Sequence, residues 1–160
     1  MVELNGTELT IEQVMAVARH KEQVRISEPA KQKIDRARAY VDEKLAQKAV
    51  IYGLTTGFGK FSDTFVPEQE TAALQRNLII SHACGMGAPL PCEVVRGAML
   101  LRCNALARGN SGIRLSTLET LLAMLNRGVH PVVPEKGSLG ASGDLAPLAH
   151  IVLVMLGEGE

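Results

Sequence analysis

Three small residues, Ala141, Ser142 and Gly143, stand between a glycine-rich run and an apolar helix in the segment GSLGASGDLAPLAH, residues 137–150. In a tight turn, the amide nitrogen of Gly143 lies near the carbonyl carbon of Ala141, and its attack closes a five-membered ring. Loss of one water from that ring and of a second water from the Ser142 hydroxyl leaves a methylidene-imidazolone. This group is an electrophile that no unmodified side chain supplies.

An ordinary capped turn is the alternative for the same segment. Asp144 is a good N-cap residue, and Pro147 fits the first turn of a helix that begins at Leu145. That alternative explains Asp144 but not the three small residues before it. The positive N-terminus of the helix would favour electron flow into a ring formed there.

A second loop, YGLTTGFGKF, is rich in glycine, but its spacing excludes a P-loop. Five residues separate Gly53 from Gly59, where the P-loop pattern has four, and Phe61 follows Lys60 in place of serine or threonine. The loop is therefore either a turn-rich connector, with Tyr52 as a packing residue, or a mobile loop over a ligand. The hydroxyls that could reach a ligand are those of Tyr52, Thr55 and Thr56.

A third candidate is the pair Ser81 and His82 in the stretch SHACGMGAP. The pair falls at the end of a predicted helix, just before Gly85. An imidazole there can act in acid–base chemistry or bind a polar ligand. It can also simply cap the helix C-terminus, and the sequence leaves both roles open.

Helices must position these three loops, because helical periodicity dominates the chain. Capping patterns predict helix starts at Thr10 with Gln13, at Ser27, and at Ser116 with Glu119, the last helix ending at Gly128. Further helices are predicted over residues 68–83, 92–108 and 145–156, with a short strand over residues 50–52. The expected fold is mainly α with little β and long loops over residues 52–62, 81–91 and 130–144. The apolar residues of the last helix cover nearly every side, so this helix should have partners all round.

Composition excludes several function classes. The 160 residues carry 17 basic and 17 acidic side chains and five aromatic ones, which disfavours nucleic-acid and membrane-surface binding. The three cysteines show no C-x-x-C spacing and the four histidines are scattered, so no metal site is expected. The N-terminus does not resemble a signal peptide, and the apolar run over residues 151–156 is too short to span a bilayer. We expect a soluble, cytoplasmic protein.

Taken together, these segments resemble one family. GSLGASGDLAPLAH resembles the prosthetic-group segment of the aromatic amino acid ammonia-lyases, and YGLTTGFG resembles their catalytic tyrosine loop. NLIISHACGMG and RCNALARGNSGIR also resemble family segments, so the similarity extends from about residue 50 onward. The resemblance implies the helical N-terminal domain of the fumarase/aspartase-like ammonia-lyase architecture. Residues 1–160 would form this single domain without the long-helix bundle that follows it in the family.

The resemblance also implies roles for the candidate residues. Residues 141–143 would form the methylidene-imidazolone autocatalytically, with no external cofactor. Tyr52 would transfer a proton near the methylene, and backbone amides next to Gly143 would stabilise charge on the ring oxygen. Gly59, Asp144 and Leu145 would support the site.

Within the family, the pair Ser81 and His82 resembles members that act on histidine, whereas phenylalanine-specific relatives carry apolar residues there. The implied reaction is elimination of ammonia from L-histidine to give trans-urocanate, a step of histidine catabolism, in a homotetramer whose active sites each draw on three chains. The isolated 160 residues are expected to be inactive. The alternatives are a tyrosine or phenylalanine ammonia-lyase or aminomutase, and a non-catalytic helical oligomerisation domain.

Overall fold

Helices dominate the computed structural model, which describes residues 1–57, 59–62, 66 and 68–160. Within these residues there are six α-helices: α1 (Ile11–Ala18), α2 (Glu28–Ala46), α3 (Glu68–His82), α4 (Cys92–Ala107), α5 (Leu115–Arg127) and α6 (Leu145–Met155). Short 3₁₀ helices occur at Gly59–Phe61 and Gly140–Ser142. The prediction of a mainly α fold is confirmed.

Two small two-stranded sheets are also present in the described part of the chain. In the first, β1 (Val2–Leu4) pairs in parallel with β2 (Val24–Ile26), and α1 makes the crossover between them. In the second, β3 (Met86–Pro89) pairs antiparallel with β4 (Pro134–Lys136), inside segments that the sequence predicted as loop. The strand predicted over residues 50–52 is wrong. That segment forms a turn in which the N–H of Thr55 donates to the carbonyl of Ile51 over 3.0 Å.

The starts of α1 and α2 follow the predicted caps. The Thr10 hydroxyl accepts from the backbone N–H of Gln13 at 3.3 Å, and the Gln13 side chain accepts from the Thr10 N–H at 2.9 Å. The Ser27 hydroxyl accepts from the N–H of Ala30 at 3.4 Å. Both predicted helix starts are confirmed, because such caps depend on neighbouring residues alone.

The predicted capping box at Ser116 and Glu119 is wrong. Helix α5 begins at Leu115, and Arg114 occupies the N-cap position without a side-chain cap hydrogen bond. Ser116 therefore lies inside the first turn, where its hydroxyl cannot cap. The predicted end of α5 is confirmed: Gly128 has φ 75°, the left-handed conformation that glycine adopts without steric cost.

Helix α4 lies at the centre of the core and contacts α1, α2 and α5. Its buried residues recur at helical spacing and include Val95, Met99, Leu100 and Cys103. Burial raises the pKa of the Cys103 thiol to about 12, so this side chain packs as a small apolar group. The core thus fixes the position of the central helix beside the candidate site.

Helices α3 and α6 pack against each other. Among the described residues of α6, Ala146, Ala149 and Ile151 are buried, while Leu148 and Val152 are only partly buried. The prediction that α6 is covered on every side is therefore not met by the described part of this chain. Its partly exposed face borders the candidate site.

Candidate active site

A largely apolar groove of about 1010 Å³ lies beside the paired helices α3 and α6. Five residues singled out from the sequence line it: Tyr52 and Gly59 from one loop, Ser81 and His82 from the end of α3, and Leu145 from the start of α6. Apolar side chains such as Leu78, Leu148 and Val152 form much of the rest. A concave apolar surface with a few polar groups is the usual form of a small-molecule site.

The ring of His82 is held by its own helix. Its Nδ1 lies 2.8 Å from the carbonyl oxygen of Leu78 and 3.1 Å from the hydroxyl oxygen of Ser81. A carbonyl oxygen can only accept, so Nδ1 carries the proton and Nε2 of the neutral ring is an acceptor. The Ser81 hydroxyl donates to the same carbonyl over 2.8 Å. His82 thus binds a helix-terminal carbonyl while it also lines the groove.

The phenol of Tyr52 is 63% exposed, and its oxygen accepts from the N–H of Gly59 at 3.3 Å. This bond ties the tyrosine to the far side of its own loop. Phe58, which belongs to the same loop motif, lies outside the described residues. Tyr52 therefore lines the groove, and a hydrogen bond from Gly59 of the same loop holds its phenol oxygen.

The two threonine hydroxyls of this loop do not face a ligand. Both side chains are buried. The Thr55 hydroxyl accepts from the N–H of Ile51 at 2.9 Å and donates to the carbonyl of Ala49 at 2.8 Å. The Thr56 hydroxyl accepts from the N–H of Gly53 at 3.2 Å. The proposal that they contact a ligand is wrong, because the backbone turns of the loop use both hydroxyls.

Residues 141–143 form a tight turn directly before Leu145. Ala141 lies in the 3₁₀ helix Gly140–Ser142, and the N–H of Gly143 donates to the carbonyl of Gly140 at 3.3 Å. Gly143 has φ 86°, and a Cβ added there would meet no atom within 4 Å. The side chain of Ser142 lies outside the described part of the structure. Residues 141–143 thus form a compact turn with open space beside the Cα of Gly143.

Asp144 occupies the N-cap position of α6, as the sequence predicted, but its side chain does not cap the helix. Its backbone is left-handed, with φ 57°, and its side chain makes no cap hydrogen bond to the helix. The carboxylate instead accepts a hydrogen bond from the hydroxyl of Ser138. A Cβ added to Gly137 would lie 3.7 Å from Cβ of Ala146. The two ends of the loop that carries residues 141–143 therefore lie close together, Gly137 and Ser138 on one side and Asp144 and Ala146 on the other.

One contact between α6 and the segment after α3 was not predicted from the sequence. His150 of α6 accepts a hydrogen bond at Nε2 from the backbone N–H of Gly85, over 3.0 Å. The one available signal was a lone polar ring inside the apolar run LAPLAHIVLVML. Such a signal does not identify the partner, because the two residues are far apart in the chain.

The described ranges give no sign of two other kinds of site. They contain no cluster of three or more His, Cys, Asp or Glu side chains that could hold a metal ion. They also contain no helix with the length and apolar character needed to cross a bilayer.

The fold and the groove define a class: a mainly α domain in which a tyrosine and a histidine line one apolar groove, while the turn of residues 141–143 comes shortly before Leu145, which lines the same groove. Residues 9–160 match the family model described as aromatic amino acid lyase. The chain belongs to the aromatic amino acid lyase family.

Several individual members of the family are similar to this chain. The histidine ammonia-lyase of Alkaliphilus oremlandii is 60% identical over 157 residues, which cover 98% of this chain and 31% of that protein. The crystal structure of histidine ammonia-lyase from Trypanosoma cruzi superposes with a TM-score of 0.90 at 41% identity, covering 99% of this chain and 30% of that chain. Ergothionase from Treponema denticola, an ergothioneine-degrading enzyme, superposes with a TM-score of 0.94 at 36% identity, covering 99% and 32%. The chain spans about a third of the length of these relatives, of which the histidine ammonia-lyases are carbon–nitrogen lyases.

Proposed function

We propose that this chain is the N-terminal part of a histidine ammonia-lyase, which eliminates ammonia from L-histidine to give trans-urocanate. The observation that carries the proposal is the placement of His82 and Tyr52 on one groove, directly beside the start of α6. Overall shape does not select the substrate, since ergothionase superposes as well as histidine ammonia-lyase does. The 60% identity to a histidine ammonia-lyase and the polar pair Ser81 and His82 favour histidine.

In this proposal, Ala141, Ser142 and Gly143 form a methylidene-imidazolone without an external cofactor. The turn supports it, because residues 140–142 are tightly wound, the Cα of Gly143 faces open space, and the Asp144 carboxylate accepts a hydrogen bond from Ser138 in the same loop. The chemistry that the group supplies is an electrophilic carbon attached to a ring able to accept electrons. The backbone N–H groups at the start of α6 would stabilise negative charge on that ring.

His82 binds and orients the substrate ring. With the proton fixed on Nδ1 by the carbonyl of Leu78, Nε2 accepts a hydrogen bond from the N–H of the substrate imidazole. A neutral, fixed imidazole cannot be replaced by an apolar side chain without leaving that N–H unpaired. The role of His82 is therefore selection of a polar ring rather than proton transfer.

Tyr52 moves the proton. Its phenol oxygen is exposed on the groove and receives the N–H of Gly59, which stabilises negative charge at this oxygen when its proton leaves. The apolar walls of the groove, such as Leu148 and Val152, displace water from the substrate. Gly59 and Leu145 support the site through the two loops that carry the reacting groups.

The whole protein is proposed to be a cytoplasmic homotetramer. The three cysteines of the chain are free, and α6 keeps a partly exposed apolar face beside the groove. Because the groove is open and the family resemblance implies active sites formed by three chains, we expect the isolated 160 residues to be inactive.

Substrate preference in the whole protein tests this proposal. The unsubstituted protein should release urocanate from L-histidine, followed by ultraviolet absorbance, and should discriminate against L-phenylalanine. His82→Leu should lower kcat/KM for L-histidine by about 5- to 30-fold, as expected for the loss of one hydrogen bond of about 1–2 kcal/mol. The same change at His20, an exposed histidine of the loop after α1, is the matched control and should change nothing. An unaltered ratio of kcat/KM for the two amino acids in His82→Leu would overturn the assigned role.

A further inference from the structure

Three segments of the chain meet at Gly85, shortly after the end of α3. The N–H of Gly85 donates to Nε2 of His150 on α6 over 3.0 Å. Since Nε2 accepts this bond, the neutral imidazole of His150 carries its proton on Nδ1. The bond is partly buried and joins the two helices that border the groove.

The segments approach closely here, and a side chain at Gly85 would displace its neighbours. A Cβ added to Gly85 would lie 3.0 Å from Nε2 of His150 and 3.1 Å from Cβ of Pro134. A Cβ added to Gly137 would lie 3.1 Å from Cα of Gly85. We name Gly85, Pro134, Gly137 and His150 the Gly85 joint.

The Gly85 joint lies between the two halves of the candidate site. On one side, Gly85 follows His82 and therefore anchors the end of α3. In the other half, Gly137 comes before residues 141–143 in the chain, and His150 of α6 comes after them. The joint thus fixes where the base of the loop lies relative to the ring of His82.

Folding alone does not call for a histidine at this position. The other residues of α6 are apolar, so a leucine would suit the packing of the helix better than a polar ring. The acceptor nitrogen of the His150 imidazole meets one backbone N–H, that of Gly85. This pairing specifies a relative position of two segments, which a non-directional apolar contact does not.

We propose that His150 is a positioning residue for the ammonia-lyase reaction: through Gly85 it sets the distance between His82 and the loop of residues 141–143. The inference rests on the proposed function. A misplacement of about 1 Å between substrate-binding and reacting groups can lower a rate by up to about 100-fold. Loss of the joint should therefore reduce turnover more than it reduces the amount of folded protein.

Three variants of the whole protein test the joint: His150→Leu removes the acceptor, Gly85→Ala displaces it, and His150→Gln replaces it with an amide oxygen at a similar reach. Each is assayed for the fraction of protein whose intact mass is two waters below the encoded mass, for kcat and KM with L-histidine, and for Tm. We expect kcat per modified site to fall about tenfold or more in the first two variants. His150→Gln should stay within about threefold of the unsubstituted protein, since it retains an acceptor.

Leu153→Ala is the matched control. Leu153 is a partly buried residue of α6 outside the groove and the joint, so its truncation should lower Tm and leave kcat per modified site unchanged. If His150→Leu does not fold, Gly85→Ala decides the question.

The outcomes separate the two proposals. Normal kcat per modified site in His150→Leu or Gly85→Ala, with an active unsubstituted protein, overturns the positioning role alone. Equal loss of kcat in His150→Gln and His150→Leu also overturns it, because the acceptor would then not matter. An unsubstituted protein with neither the mass deficit nor urocanate formation overturns the proposed function, and the positioning role with it.

Discussion

Replacing Arg96 with methionine removes a buried cation that joins three helices. Arg96 is 2% exposed on α4, and its Nη2 donates to the carbonyl of Val17 at 2.7 Å. Its Nη1 donates to the carbonyl of Leu125 at 2.9 Å, and its Nε donates to the carbonyl of Ala18 at 3.2 Å. These carbonyls lie in the last turns of α1 and α5, where the helix itself supplies no N–H partner. The negative ends of two helices therefore compensate the buried charge.

The cost of the substitution follows from these bonds. Hydrogen bonds from a charged donor contribute about 1.5–3 kcal/mol each, and a buried acceptor left unpaired costs about 1–3 kcal/mol. Relief of the desolvation of the guanidinium offsets part of this loss. We expect Arg96→Met to lower the free energy of unfolding by about 3–5 kcal/mol, a large share of the 5–15 kcal/mol typical of a domain. Arg96→Lys keeps the charge but not the planar fork, so it should cost about half as much.

Urea unfolding of the chain, followed by far-ultraviolet circular dichroism, measures this difference. Arg19→Met is the matched control, because Arg19 also links α1 to α4, through an ion pair with Glu93 at 2.8 Å. Both of those side chains are about half exposed, at 52% and 46%, so this pair should contribute less than about 1 kcal/mol. Equal losses in Arg96→Met and Arg19→Met would refute the reasoning.

Two further predictions concern pH and a strand edge. Burial, followed by the charges of Arg96 and Lys21, lowers the pKa of His130 below its ordinary value of 6.5. The imidazole of His130 is therefore protonated at a higher pH in the unfolded chain than in the folded chain. The contribution of neutral His130 to the free energy of unfolding is complete above about pH 6.5, and it is lost as the pH falls through the lowered pKa. Between about pH 6.5 and lower pH, the urea midpoint should fall less in His130→Gln than in the unsubstituted chain. An equal fall in both would contradict the lowered pKa of His130. Asn126 extends β2, since its side chain accepts from the N–H of Val24 at 2.9 Å and donates to the carbonyl of Val24 at 2.8 Å. Asn126→Asp loses the donor and should cost about 1–3 kcal/mol despite its similar shape; an unchanged urea midpoint would contradict this role.

Local patterns in the sequence were sufficient for most helices. The cap at Thr10 and Gln13 and the end of α5 at Gly128 depend on a few consecutive residues, so they could be predicted without the rest of the fold. The strands could not. Val2 pairs with Val24 across an intervening helix, and three residues are too few to show an alternating pattern.

The candidate site was predictable in its residue types but not in its contacts. Tyr52 and His82 were identified from the sequence, and the structure places both on one groove. Thr55 belongs to the same loop, yet its hydroxyl is used by the backbone of that loop. The bond between Gly85 and His150 depends on how α3 and α6 pack, which no local pattern encodes.

The central claim is that residues 141–143 become an electrophile within the whole protein. The most direct measurement is the intact mass of the purified whole protein beside that of its Ser142→Ala variant. The account predicts that the unsubstituted protein is lighter than its encoded sequence by two waters, and that the variant, which has no hydroxyl to lose, does not show this deficit. An unsubstituted protein of encoded mass that still converts L-histidine to urocanate would contradict it.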